Sequence, residues 1–392
     1  MFTIAMSMGS LMFHRTVMAA HQVKSTQSYY ASESGLEDAL LRLRNNPQMS
    51  ELSYNLAVNG ATTNITIPAI IAGARVIVST GSAMGNVKKN QVVYAIDGEA
   101  VSFHYGIQVG EGGLHLENNS QIHGNVFSNG NITGGGNAIV DNDVIVATNH
   151  SMSSISVLGN VIAYTCTSAS VGQNLTYVTG GVNTCTVQGT TSTQSSQIAA
   201  QPLPITPPQI DAWKSEAESG GVSTGDITIA NNETLSLSSQ KIEGNINLGN
   251  NATLNLLGTV HVTGDIIFSS NATVKLDASY GSLSGVIVID GVVNISNNSV
   301  VRGSGQTGSY LLVLSTSSST SAINIANNSD AAVFYTSAGT ISISNNANLK
   351  EATGYRIVVG NGASVTYESG LTNSFFSNGP AGGWRVVSWT EQ

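Results

Sequence analysis

With 392 residues, only 9% of them charged but 42 of them glycine, the chain has room for two or three domains and lacks the roughly 25% charge of an average soluble domain. The net charge of −9 argues against nucleic acid and anionic membrane surfaces as partners. Such a composition fits an exposed β-solenoid better than a cytosolic enzyme.

The first 13 residues, MFTIAMSMGSLMF, are mostly apolar and end at His14 and Arg15. A bilayer span needs about 20 apolar residues, so this stretch alone is too short to cross. It runs directly into a helical pattern. From Val17 to Arg44 there is no Pro and a single Gly, Gly35, while Leu36, Ala39, Leu40 and Leu43 recur at helical spacing. Asp38 precedes Arg42 in the favourable order, and Arg42 and Arg44 suit the C-terminal end. The "NNP" at 45–47 predicts the stop.

The stretch QSYYASESGLEDALLRL (27–43), with Tyr29, Tyr30, Glu33, Gly35, Glu37 and Leu40, resembles the segment that follows the apolar helix in PilX-like minor pilins and related pilus-assembly proteins. The resemblance covers about 45 residues. It implies a helix held in the inner membrane or buried in a filament core, other pilin-like subunits as partners, and a location at the cell surface. The family's basic leader, its Gly-Phe cleavage junction and its acidic fifth residue are not found here. An internal recorded start is the expectation that reconciles the two.

Residues 48–105 predict a small β layer after the helical segment 1–47, with strand patterns at Thr63–Ile67, Ala74–Ser79 and Lys88–Ile96. A first solenoid run is expected over 106–185, with Asn-rich corners at Asn118/Asn119 and Asn129/Asn131. Cys166 and Cys185 flank a Gly-rich turn and suit a disulfide-closed loop in an oxidising compartment; two unpaired thiols are the alternative. A Ser/Thr/Gln linker and a helix near Pro207 and Pro208, with Ile210, Trp213 and Ala217 on one face, fill 186–225. That helix is expected to cap the second rod or to lie on its side.

The main β-helix is expected over 226–392. Leu235/Leu237, Leu254/Leu256 and Val274/Leu276 recur at steps of 19 and 20 residues, and Ile246/Leu248, Ile266/Phe268 and Val286/Val288 at steps of 20. One such coil cannot bury its apolar face alone; stacked coils bury one another. About eight coils are expected, with a loop leaving the rod between Ile295 and Ile325. Asn232, Asn251, Asn271, Asn298, Asn328 and Asn346 suit corners, since Asn tolerates left-handed backbone angles, and stacked they form an amide ladder. The fold class is therefore mainly β: an N-terminal helix, a small β layer and a right-handed parallel β-helix in two runs. The solenoid also resembles bactofilin-like, polymer-forming proteins.

Little here points to chemistry. Asp141 and Asp143, two residues apart and expected to share a strand face, are the one carboxylate pair suited to glycoside hydrolysis. The seven histidines show no metal-ligand spacing, and the glycines in 110–116 and 133–138 open no helix for phosphate. No catalytic residue, cofactor or metal is expected. The first expectation is a non-enzymatic surface protein, a pilus component anchored through its N-terminal helix, whose polar rod presents Tyr310, Tyr335, Tyr355 and Tyr367 to carbohydrate or protein. A self-assembling scaffold comes second, and a carbohydrate-active enzyme third. Trp384 and Trp389 are expected to close the rod's C-terminal end.

Overall fold

A computed structural model describes residues 2–46, 49–71, 74–96, 99–101, 103–327, 330–376 and 384–392. The chain is mainly β, with two α-helices among the described residues, and it divides into two compact units.

The first unit contains α1 (Phe2–Asn45) and four antiparallel strands, β1 (Leu52–Val58), β2 (Ala61–Ile67), β3 (Ala74–Ala83) and β4 (Asn86–Ile96). Strand alternation sets one face: in β2, Ala61, Thr63, Ile65 and Ile67 are buried while Thr62, Asn64 and Thr66 are exposed. On the buried face Ile65, Ile67, Ile77, Val92 and Tyr94 pack against Leu36, Ala39 and Leu43 of α1. The fifth strand is Trp384–Glu391, antiparallel to β4 with Trp384 opposite Ile96 and Glu391 opposite Asn90. The expected closure of the rod by Trp384 and Trp389 is therefore corrected. β4 offers an unpaired edge that this strand fills, and Trp389 stays 40% exposed.

The second unit is a parallel β-helix of three faces and thirteen rungs among the described residues, roughly 60 Å long at the usual strand spacing. The two runs join end to end, in the reverse of chain order. Rungs 1 to 7 start at Val222–Thr224 and end at Ser364–Thr366; rungs 8 to 13 start at Ile107–Leu116 and end at Thr191–Gln194. Ile357 pairs with Leu114 and Val365 with Ile122, so the earlier run stacks on the last rung of the later one. One buried column runs through both: Ile246, Ile266, Val293, Ile323, Ile341, Ile357, Leu114, Ile132, Met152 and Cys166. Each such side chain contributes about 1.5–3 kcal/mol of burial.

Several expected boundaries move. The rod that was expected to reach residue 392 ends at Thr366. Rungs expected to stop at 185 continue to Gln194, because Thr favours strands and an exposed end rung needs no apolar face. Glu99–Val101, expected with the small β layer, pairs with Ser374–Phe376 inside the solenoid unit. Leu235, Leu254 and Val274 do stack, but Val286 does not follow Ile266. The turn around Ala278–Tyr280, held by Asp277 accepting from the Ser279 backbone amide (2.9 Å), lengthens that rung, and Val293 takes the inward place.

The chain returns from rung 13 to rung 1 along the side of the rod. An extended arm bonds Thr148, Asn129 and Gln108 through Ile198, Gln201 and Pro202. α2 (Pro207–Ser219) then lies beside Gly285–Ile289, Val260–Val262 and Gln240–Glu243. Lengths fit: about 12 extended residues span about 40 Å, against about 34 Å for seven rungs, and 13 helical residues add about 20 Å over the last four. Of the two expected positions for this helix, cap or side, it takes the side.

Cys166 and Cys185 form a disulfide across the last rungs. Replacing both with Ser is expected to lower stability by about 3 kcal/mol in the chain-entropy model for this loop, with faster amide exchange confined to 165–194. Unchanged urea unfolding and unchanged exchange there would show that the bond is dispensable.

Candidate functional surface

The corners explain much of the Asn content. Asn232, Asn251, Asn271, Asn298 and Asn346 have φ of 63°, 57°, 59°, 58° and 59°, and so do Asn119 (58°) and Asn137 (61°). Asn328 lies outside the described residues. The amide ladder is partial: the Asn251 side-chain amide donates to Asn232 Oδ1 (2.9 Å) and that of Asn137 to Asn119 Oδ1 (3.2 Å).

A second ladder was not foreseen. Before the strands of one face in each run, and at a different corner in the two runs, the preceding residue accepts the backbone N–H of its counterpart one rung on. Asp226 accepts from Asn245 (2.8 Å), Asn245 from Asp265 (2.8 Å) and Asp265 from Val292 (2.7 Å). Asn125, Asp143, Asn160 and Asn174 do the same for Asp143, Asn160, Asn174 and Thr190. An Asn or Asp directly before an apolar strand pair is the sequence signal for it.

Asp143 is thus a corner acceptor. Asp141 bonds His123 Nδ1 at 2.6 Å, and residues 141–143 are a turn between Ile139–Val140 and Val144–Val146. The two carboxylates do not share a strand face, which corrects the expected arrangement. His115 Nδ1 meets Thr133 Oγ1 at 2.9 Å. No group of three metal-ligating side chains occurs among the described residues.

The aromatic display is corrected too. Tyr310 is 6% and Tyr335 0% exposed, Tyr367 is partly buried, and Tyr355 alone is open, at 43%. Tyr310, Tyr335 and Tyr367 join an outer core that sequence periodicity does not signal. Val101, Phe103, Leu371 and Phe376, with Ile205 and Trp213, cover the outward side chains Val286, Val288, Leu312, Leu314, Val333 and Tyr335. At its α2 end, Asp290 is reached by Lys214 Nζ (2.5 Å), His261 Nε2 (2.8 Å) and Thr316 Oγ1 (2.8 Å). Burial opposes its charge, yet the bonds from His261, Lys214 and Thr316 hold the carboxyl well below its ordinary range. Glu216 has no ion pair among the described residues, and burial pushes it up to about 7.

The uncovered rod surface is uncharged over long stretches. Around rungs 9 to 12 a groove of about 740 Å³ is lined by Gly134–Gly136, Asn137, Ser154, Ser156, Ser168, Ser170, Thr184 and Thr186. Hydroxyls and amides there suit neutral polar contact; no charged or aromatic side chain lines it.

In the first unit the resemblance residues are brought together on α1. Tyr29 OH donates to Glu33 Oε1 (2.6 Å); Asp38 accepts from Tyr54 OH (2.5 Å) and Arg42 Nε (2.8 Å). Gly35 faces Thr63, Ile65 and Ser79 so closely that a Cβ would lie 2.4 Å from Ser79 Oγ. Leu40 packs on the sheet core, while Tyr30 is 59% exposed. Ahead of the covered part, Leu11, Met12, Phe13, Met18 and Val23 are 58%, 67%, 68%, 65% and 56% exposed. Among the described residues no helix is long and apolar enough to cross a membrane.

No family model and no curated protein matches the chain. Among solved structures it is similar to the competence-associated pilin ComZ from Thermus thermophilus at 11% identity and a TM-score of 0.29, over 94% of this chain and 98% of that one.

Proposed function

We propose that the chain is a non-enzymatic, pilus-related surface protein in which α1 joins other helices of its kind and the solenoid is the part displayed. The observation that carries this is the exposure of Leu11, Met12, Phe13, Met18 and Val23, all more than half exposed around a helix whose own sheet covers only the later turns. An apolar stretch of that size is a contact surface, and other pilin-like subunits, or the membrane before assembly, are the partners that fit it. The disulfide agrees with an oxidising, extracellular setting. Carbohydrate or protein contact by the rod, and membership of the PilX-like minor pilins, are the finer parts of the reading.

A self-assembling scaffold is the second reading. Val222–Thr224, Ile227–Ile229 and Thr234–Leu237 pair on one side only among the described residues, and an open rung is a template for another chain. Polysaccharide cleavage comes third, with Asp143 engaged at a corner.

Immunogold labelling of intact cells with an antibody against residues 226–366 tests the first reading. Gold is expected on thin surface filaments, and Phe13→Asp is expected to remove most of it while leaving the rod folded. Labelling only after permeabilisation sinks surface display and puts the scaffold first.

A further inference from the structure

The outer core continues over rung 7, where it encloses a carboxyl group. Glu351 is opposite Val333 in the ladder and is 0% exposed. Its Oε1 accepts from Thr353 Oγ1 (2.5 Å), and its Oε2 has no partner. Tyr335 of the preceding rung and Tyr367 beyond rung 7 are near enough to feel its charge, but their hydroxyls donate elsewhere. Tyr335 OH donates to Ile205 O (2.8 Å); Tyr367 OH bonds Phe103 O and Thr372 Oγ1 (2.5 and 2.8 Å). On the following rung, the Gln108 side chain donates to Pro202 O (2.9 Å). The neighbouring cation, Lys350, is paired with Glu368 (2.7 Å), which also takes the Tyr310 hydroxyl. Glu351 thus has one donor and no counter-charge, and a carboxylate held so would be unsupported.

We propose that Glu351 is a proton-dependent latch: neutral, it lets Val101, Phe103, Leu371 and Phe376 seat on the rod, and ionised it releases them. The released segments are those through which the chain enters the rod at rung 8 and leaves it after rung 7. The latch loosens both connections together and leaves the rungs intact. It stands independently of the pilus reading.

The sign follows from burial, which raises the Glu351 pKa well above that of a free glutamate. The folded state holds the proton more tightly. Its stabilisation is complete below about pH 4.5 and is lost as pH rises through the raised folded value.

Amide hydrogen exchange of the full chain, measured from about pH 5 to about pH 10 against Glu351→Gln, tests this. Comparing the two proteins at each pH cancels the pH dependence of exchange itself. Peptides covering 99–106 and 367–376 are expected to match at the acid end. In the wild type they should lose protection about tenfold per pH unit beyond the folded pKa, and in Glu351→Gln they should not. Glu351→Met, which also cannot ionise, should behave like the Gln variant and serves if that variant misfolds. A wild-type cover that stays equally protected at every pH overturns the proposal, as does a loss that both variants share.

Discussion

Trp213→Ala is expected to cost the solenoid about 3–5 kcal/mol and to detach α2 from its side. Trp213 is 1% exposed and meets Phe376 edge-on at 6.3 Å, within the cluster of Val286, Val288 and Leu314. The helix is well started, with Pro207 in its first turn and Gln209 Oε1 accepting from the Thr206 backbone N–H (2.8 Å), and Gly220 ends it. Those local signals stabilise a 13-residue helix only weakly, because isolated helices of that length are marginal in water. Packing through Ile210, Trp213 and Ala217 must supply the rest. The Lys214–Asp290 pair adds less, since both groups are partly solvated. Urea unfolding of Trp213→Ala beside Trp389→Ala makes the comparison, the latter 40% exposed and expected to cost under about 1 kcal/mol. Equal midpoints for the two would mean that the return segment is a passive tether.

What the sequence shows of this architecture follows from what is local in it. Leu235, Leu254 and Val274 reveal the coil because successive rungs lie about 20 residues apart, and the αL corners announce themselves as Asn. Stacking of Ile107–Leu116 on Asn348–Val359 joins residues more than two hundred positions apart, and no periodicity reports that. Val286 and Val288 illustrate a second limit. In a strand buried on both faces, as all of Gly285–Ile289 is, the pattern no longer distinguishes inward from outward residues. The C-terminal strand is read as closing the rod for a different reason: alternation identifies a strand but not its partner, here β4. Asp143 shows a role the sequence reading did not assign: expected only to share a strand face with Asp141, it stands directly before Val144 and is a corner acceptor.

Gly81→Val should dislodge α1 from its sheet, at about 3 kcal/mol or more. A Cβ at Gly81 would lie 2.0 Å from the Ser28 carbonyl oxygen and 2.8 Å from the Ser32 amide nitrogen. Both are backbone atoms of a helix whose Ser28 and Ser32 are fully buried, so no side-chain rotation relieves the clash. The helix must move away, and with it goes the bond from the Asn90 side-chain amide to Ser32 Oγ (2.8 Å). Gly35 meets the sheet from the other side, but there the obstacles are side-chain ends, the Ser79 hydroxyl at 2.4 Å and Ile65 Cγ1 at 2.9 Å. Gly35→Ala also gains up to about 1 kcal/mol of helix propensity, so its net cost should be clearly smaller. Amide exchange across 28–43 and 61–67 separates the two variants. Gly81→Val should expose both segments, and Gly35→Ala should leave them largely protected. If Gly81→Val exchanges like the wild type, the close approach at Ser28 is not what seats the helix, and the exposed apolar turns ahead of it lose the fixed base on which the assembly reading depends.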